Sequence, residues 1–257
     1  MTNQFVDTSL ALRLEAAHAS AGVSSAGEVE SAAGGKLIFA GVDSPINQAL
    51  GLGLAGPVTA EEFDRVESFF RSRGVKITID LCPLADISLI ELLAARGYRL
   101  TEFNNVLARP IREGEWIPAP PSGLDARPAA PEEVDLLTRI AIQGFFNRSE
   151  VTPDELVQFR AMVGTSIPYL LFAGGQAVAG AVMGIHERVA TMAGDATLPE
   201  FRRRGAQAAL IHRRLRDAQA AGCDLAWAAT LPGSVSQRNY ERCGFRMVYT
   251  RAMMVSE

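Results

Sequence analysis

Three cysteines and three histidines are all that 257 residues contain, and none of the six forms a cluster. Cys82, Cys223 and Cys243 show no CxxC spacing, which excludes a disulfide framework and fits reduced thiols. His18, His186 and His212 are equally scattered, so a zinc site has no visible ligand set. A basic excess is lacking too. The formal net charge is −4, which argues against a nucleic-acid partner. No stretch approaches the roughly 18 apolar residues of a membrane span. Met1 to Glu15 has no basic start followed by an apolar run, as a secretory signal would. A GxGxxG after an early strand, the mark of a Rossmann-type nucleotide site, is also missing. These absences predict a cytoplasmic protein with no metal, no nucleic acid and no membrane among its partners.

What is present is ordinary globular material, with 48% hydrophobic and 21% charged residues. The length suits one large domain or two of about 100 to 150 residues. Thr8 to Ser31 reads as helical, broken around Gly22 and Gly27, and Lys36 to Ala40 as a buried strand. Asn47 to Ala55 reads as a strand weakened at Gly51 and Gly53. Thr59 with Glu62 forms a capping box for a helix that Gly74 stops. A strand over Val75 to Leu81, a helix over Asp86 to Arg96 and one or two strands over Tyr98 to Arg109 follow. The proline-dense IPAPPSGLDARP suits an interdomain linker. The expected division is therefore 1–117, a linker at 118–128, and a second domain at 124–257.

The second half alternates in the same way. Leu124 to Pro128 reads as a strand, Pro131 to Phe146 as a helix, and Thr152, Pro153 and Glu155 start another. Three strands follow over Tyr169–Ala173, Ala177–His186 and Val189–Thr197, then a helix from Gly205 to Ala221. Leu225 to Thr230, Ser234 to Cys243 and Phe245 to Val255 read as strand, helix and final strand pair. Both halves end alike: a helix stops at glycine (Gly97, Gly244), an aromatic follows (Tyr98, Phe245), and strand residues alternate after it. This weak internal repeat suggests duplication. The same order also arises wherever helices feed strands.

The chemistry concentrates in TLPEFRRRGAQAAL, Thr197 to Leu210. A strand ends, a basic turn of Arg202, Arg203, Arg204 and Gly205 follows, and a helix begins. Backbone N–H groups at a helix start have no intrahelical partner, and the helix dipole favours an anion there. Such a turn makes a diphosphate cradle, with Gly205 admitting close approach of the backbone. The competing reading is a solvated basic turn.

Thr197, Pro199, Glu200, Phe201, Arg202 and Gly205 fill the places of the cofactor signature of the GNAT acyltransferases, which this segment resembles. The departure is Gln207, where that family has Gly or Ala. Tyr240-Glu241-Arg242-Cys243-Gly244-Phe245 resembles the family's later motif. The resemblance covers roughly Leu124 to Val255. It implies an α/β (α+β) fold of two GNAT-like domains, each a mixed, mostly antiparallel sheet flanked by helices.

The resemblance further implies that Asp195, Ala196 and Thr197 pair with the pantetheine arm of acetyl-CoA. The backbone from Arg203 through Gly205, Ala206, Gln207 and Ala208 would bind its diphosphate. Arg202, Arg204, Ser236 and Asn239 complete the cofactor-facing set. Tyr240 would protonate the leaving thiolate, since a phenol's pKa of about 10 lies near that of a thiol. Its alternative is a packed tyrosine with its hydroxyl at the rim. The attacking amine must lose a proton, and Asp195, His186 and Glu187 are the candidate bases, each also readable as a turn or strand-end residue. Cys243 reads as a small buried apolar residue, as do Cys223 and Cys82.

The first half resembles a degraded copy: Glu61 and Glu62 stand at the cradle position and Leu93 where the second half has Tyr240. It is expected not to bind CoA. The reading of the whole is an N-acyltransferase moving acetyl from acetyl-CoA to an amine acceptor, metal-free, with a homodimer one open assembly. The alternative is a non-catalytic acyl-CoA-binding or regulatory protein. Phe145, Phe146, Asn147 and Arg148 are candidates for the acceptor pocket or for a core and turn role.

Overall fold

The computed structural model describes residues 8–42 and 44–256. The chain runs through α1 (Thr8–Ser24), β1 (Glu28–Ala32), β2 (Gly35–Phe39), β3 (Gln48–Leu50), α2 (Ala60–Arg71), β4 (Thr78–Leu81), α3 (Ile87–Ala95) and β5 (Arg99–Pro110). It continues with β6 (Leu124–Pro128), α4 (Val134–Phe146), α5 (Pro153–Val163), β7 (Ile167–Ala173), β8 (Gln176–His186) and β9 (Val189–Thr197). Then come α6 (Ala206–Ala220), β10 (Leu225–Thr230), α7 (Val235–Arg242) and β11 (Arg246–Val255).

Local signals set most boundaries. At α2 the Thr59 hydroxyl accepts from the Glu62 N–H while Glu62 accepts from the Thr59 N–H, the expected capping box. The same reciprocal pair, Thr152 and Glu155, starts α5. Two expectations fail early in the chain. The first helix ends at Ser24, whose hydroxyl turns back to Ala21 O, and the Gly27 N–H instead bonds Phe39 O to open the β1–β2 hairpin. The glycines of Asn47 to Ala55 form a turn rather than a bulged strand. Gly51 and Gly53 have φ of 70° and 71°, and Gly53 bonds Ala33 and Asp86 by its backbone.

The chain forms two compact units, residues 1–106 with 248–257, and residues 107–247. This differs from a division at the proline-rich stretch. That stretch lies within the second unit because α6 satisfies its carbonyls: Arg216 donates to Pro118 O at 2.7 Å and Arg213 to Ala126 O at 2.9 Å. The closing strand pair expected over Phe245–Val255 is a single strand, and from Val248 on it belongs to the first unit.

In the first unit the strand order is β1-β2-β3-β4-β11-β5. The pairs are antiparallel from β1 to β3, parallel between β3 and β4, and antiparallel between β4 and β11 with Ala252 opposite Leu81. α2 buries Phe63, Val66, Phe69 and Phe70 at helical spacing against Leu37, Ala49 and Ile79. A charged group also lies inside. Arg251 is 1% exposed and pairs with Glu15 of α1 and Asp80 of β4, while Tyr249 donates to Glu15 at 2.6 Å.

In the second unit β6, β7, β8 and β9 form an antiparallel run, and β10 joins β9 in parallel. Side chains alternate across a strand. Tyr169 and Leu171 accordingly share a core with Ala209, Leu210 and Leu215 of α6, while Leu170 packs with Leu137 and Ile140 of α4. The mixed, mostly antiparallel α/β character is as the sequence led one to expect.

Candidate active site

The site is built on β9. The β8–β9 hairpin turns at Glu187 and Arg188, both left-handed with φ of 43° and 66°, as a two-residue turn of this hand demands. His186 and Glu187 therefore sit at the turn. Asp195 lies six residues along β9 from Val189, roughly 20 Å at 3.3 Å per residue. That separation removes both residues from the list of bases acting beside Asp195.

Further along β9 the register breaks. Gly180 stands opposite Ala196 but Val182 opposite Ala193, so β9 carries one extra residue at Gly194–Asp195. Gly194 has φ of 69°, the conformation a bulge of this kind needs. On its other side β9 pairs with β10 only from Val189–Leu225 to Thr191–Trp227, although both strands continue. The two strands part beyond Thr191. Thr230, on the parted stretch of β10, is 5% exposed, and its hydroxyl has no partner among the described residues.

The basic turn follows β9. Arg203 and Gly205 are left-handed, with φ of 62° and 83°, and Gly205 is the N-cap of α6. The first N–H of the helix to find an acceptor is that of Ala209, to Gly205 O at 3.0 Å. Among the described residues the N–H groups from Arg203 to Ala208 have no hydrogen-bond acceptor, so a run of donors is left at the positive end of the helix. A non-glycine residue in this conformation costs on the order of 1 kcal/mol, and the strain falls within the turn the sequence singled out.

The three arginines divide their work. Arg202 braces α4, donating to Gly144 O at 2.7 Å, Asn147 Oδ1 at 3.3 Å and Thr197 O at 3.3 Å. Arg204 lies over the Phe201 ring at 5.2 Å. Gln207, Ser236 and Asn239 are brought together: the Gln207 amide donates to Ser236 Oγ at 2.9 Å and accepts from Asn239 at 2.8 Å. Gln207 thus ties α6 to α7.

Tyr240 on α7 is 1% exposed, and its hydroxyl donates to Asp195 Oδ2 at 2.6 Å. Its ring packs edge-on against Phe245, the centroids 4.9 Å apart. This hydroxyl is not at the rim. Arg214 of α6, fully buried, ion-pairs with Asp195 Oδ1 through Nη2, and the same nitrogen lies 3.4 Å from the Tyr240 oxygen. Burial pushes the Tyr240 hydroxyl well above the ordinary phenol range; Arg214 pulls it down and Asp195 pushes it up. Burial opposes the charge of Arg214, but Asp195 and Tyr240 outweigh it and hold the guanidinium charged. Cys243 is buried, and its thiol is pushed up to about 11, chiefly by burial.

Three residues of this site escaped the sequence reading, Thr230 among them. Arg214 occupies the buried stripe of α6 with Ala206, Ala209, Leu210, Leu215 and Ala218, so an arginine on the apolar face was the available signal. Gly144 of α4 packs on the end of β9, where an added Cβ would stand 3.0 Å from Ala196 Cβ and 3.1 Å from Thr197 N. Phe145 and Phe146 beside it are half exposed.

Residues 135–245 match the family model described as Acetyltransferase (GNAT) family. That segment is a GNAT acetyltransferase domain. No curated protein matches the chain. Among solved structures, a GCN5-related N-acetyltransferase from Kribbella flavida superposes with a TM-score of 0.74 at 21% identity, over 96% of this chain and 95% of that one. A tandem GNAT protein from the clavulanic acid biosynthesis pathway superposes with a TM-score of 0.62 at 14% identity, covering 98% and 95%. A third, from Sphaerobacter thermophilus, gives 0.60 at 18% identity over 82% and 71%. At these identities the likeness is one of fold alone. No helix among the described residues is long and apolar enough to cross a membrane, and no group of three or more of their Cys, His, Asp and Glu side chains is placed to hold a metal ion.

Proposed function

We propose that the second unit transfers an acetyl group from acetyl-CoA to an amine by direct attack. The observation that carries this reading is the junction at one place of a parted β9–β10 pair, a run of free N–H groups at the start of α6, and the buried Tyr240. The parted strands leave backbone at Asp195, Ala196 and Thr197 to pair with the amides of a pantetheine arm. The N–H groups from Arg203 to Ala208 suit a diphosphate. The orphaned Thr230 hydroxyl is a further fit, because a buried polar group without a partner costs about 1–3 kcal/mol until something binds it. When bound, acetyl-CoA supplies the activated acyl group; the chain positions it and manages protons.

Asp195 is better placed to act through Tyr240 than on the amine, since both of its oxygens already accept hydrogen bonds from Tyr240 and Arg214. The amine's proton then leaves by water. A second reading, acyl-CoA binding without turnover, draws support from one observation: the Tyr240 proton is already engaged by Asp195. The first unit offers no such cradle, because Thr59 and Glu62 occupy the start of α2 with their own capping box. We assign it no CoA site.

Isothermal titration with acetyl-CoA tests the reading. One site per chain in the micromolar range is expected, weakened at least thirtyfold by Arg203→Glu and abolished by Arg203→Glu/Gly205→Glu. No heat with folded wild-type protein would overturn it. Thiol release across a panel of amines then separates turnover from binding alone.

A further inference from the structure

We infer that Arg214 is the positioning residue that makes Tyr240 usable as an acid; the inference rests on the acetyl-transfer reading above. Every donor of this guanidinium is engaged. Nε donates to Leu210 O at 3.3 Å, Nη1 to Val182 O at 3.0 Å and Ala193 O at 3.4 Å, and Nη2 to Asp195 Oδ1 and to Tyr240 at 3.4 Å. Five N–H donors meet five acceptors, which fixes the fork. Val182 and Ala193 are the register pair flanking the β9 bulge, so the guanidinium that faces Tyr240 also holds the bulge bearing Asp195.

The chemistry requires such a cation. When the thioester C–S bond breaks, its electron pair goes to sulfur and the Tyr240 proton follows it. A tyrosinate remains, to be reprotonated by the proton that the amine gives up through solvent. Atoms and charges balance: amine and thioester become amide and thiol. A buried phenol beside a carboxylate is a poor donor to a thiolate whose own acid has a pKa near 8.5. An arginine stays charged whatever the pH of the assay. Arg214 stabilises the tyrosinate while keeping Asp195 compensated, so the hydroxyl can turn from Asp195 to sulfur without leaving an unpaired buried charge.

The test uses the full chain, acetyl-CoA, and hydroxylamine as a small nucleophile that is largely neutral at pH 7 and needs no base. Thiol release is read after subtraction of the uncatalysed reaction. Arg214→Gln is expected to lower kcat at least a hundredfold and leave the acetyl-CoA Kd within threefold, with Arg214→Lys recovering part of the rate. Because Arg214 acts through Tyr240, adding Arg214→Gln to Tyr240→Phe is expected to cost less than threefold more. If Arg214→Gln does not fold, the Lys variant carries the same comparison. Unchanged kcat, a parallel loss of kcat and acetyl-CoA binding, or additive losses in the double variant would each overturn the proposal. Failure of the wild type to bind acetyl-CoA would instead sink the functional reading beneath it.

Discussion

The Tyr240 hydroxyl and the Asp195 carboxylate lie 2.6 Å apart, donor to acceptor, on a helix and a strand that are 45 residues apart in sequence. Both are held by the same buried guanidinium. Tyr240→Phe removes one hydroxyl from this group and leaves the ring against Phe245. Loss of a positioned acid is expected to lower kcat by roughly 10²–10⁴ with the acetyl-CoA Kd unchanged. Asp195→Asn keeps the shape but leaves Arg214 uncompensated, so a lower melting temperature is expected together with lower kcat. Calorimetry beside stopped-time thiol release checks both. A Tyr240→Phe protein with wild-type kcat would exclude the acid role.

Gly144 is small because β9 lies against it. A Cβ there would press on Ala196 and on the backbone of Thr197, and the neighbours are strand atoms with little room to give. Gly144→Ala is expected to weaken acetyl-CoA binding several-fold, and Gly144→Val to abolish it while α6 and its core persist. Titration calorimetry with circular dichroism distinguishes the two effects. Equal affinity in the valine variant would show that α4 does not bear on the cofactor strand.

What was legible in the sequence was whatever depends on neighbours along the chain. The caps at Thr59 and Thr152 were read correctly because a capping box spans four residues. The turn before α6 was found because Arg203 and Gly205 sit beside a helix start. Long-range pairing was not legible: nothing near Val248 says that it enters the first unit or that Ala252 will face Leu81. The prolines of 118–128 looked like a spacer because only folded α6 shows which side chains cap their carbonyls. His186 stood among the candidate bases with a strand-end turn as its other reading, and the turn is where it lies. Residues of one strand are close in sequence, but a hairpin carries its turn away from its bulge.

Arg251 shows how much the first unit depends on the end of the chain. It is the cation between Glu15 and Asp80, all three buried. Arg251→Met would leave two carboxylates without it, a loss of about 3–5 kcal/mol for breaking a buried pair. Ending the chain at Met247 removes all of β11 that lies in this unit and is expected to unfold it. Hydrogen exchange checks this: amides of α1 and β4 should lose protection in both variants. Unaltered protection there would show that the unit does not need its last strand.

His18 gives the same unit a pH dependence whose sign can be worked out. It lies on α1, 3.6 Å from Asp80 Oδ2, and the other charged or titratable groups around the cluster are Glu15 on α1, Cys82 after β4, Glu102 on β5, and Tyr249 and Arg251 on β11. Burial first, then Arg251, hold its pKa well below 6.5, so the folded unit keeps it neutral. The unfolded chain takes up a proton there near pH 6.5, and stability is lost as pH falls through that value. Asp80 works the other way. Burial, aided by Glu15 and opposed by Arg251, raises it to about 6, so the folded unit binds a proton that the unfolded chain refuses until about pH 4. Stability should therefore fall from pH 7.5 to about 6 and then level off. His18→Gln is expected to remove the fall, and Asp80→Asn to extend it below pH 6. Each pKa unit is worth 1.36 kcal/mol, or several degrees of melting temperature for a unit of this size. Thermal unfolding of the three proteins between pH 5 and 7.5 measures it, and superimposable curves would show that neither group changes protonation on folding.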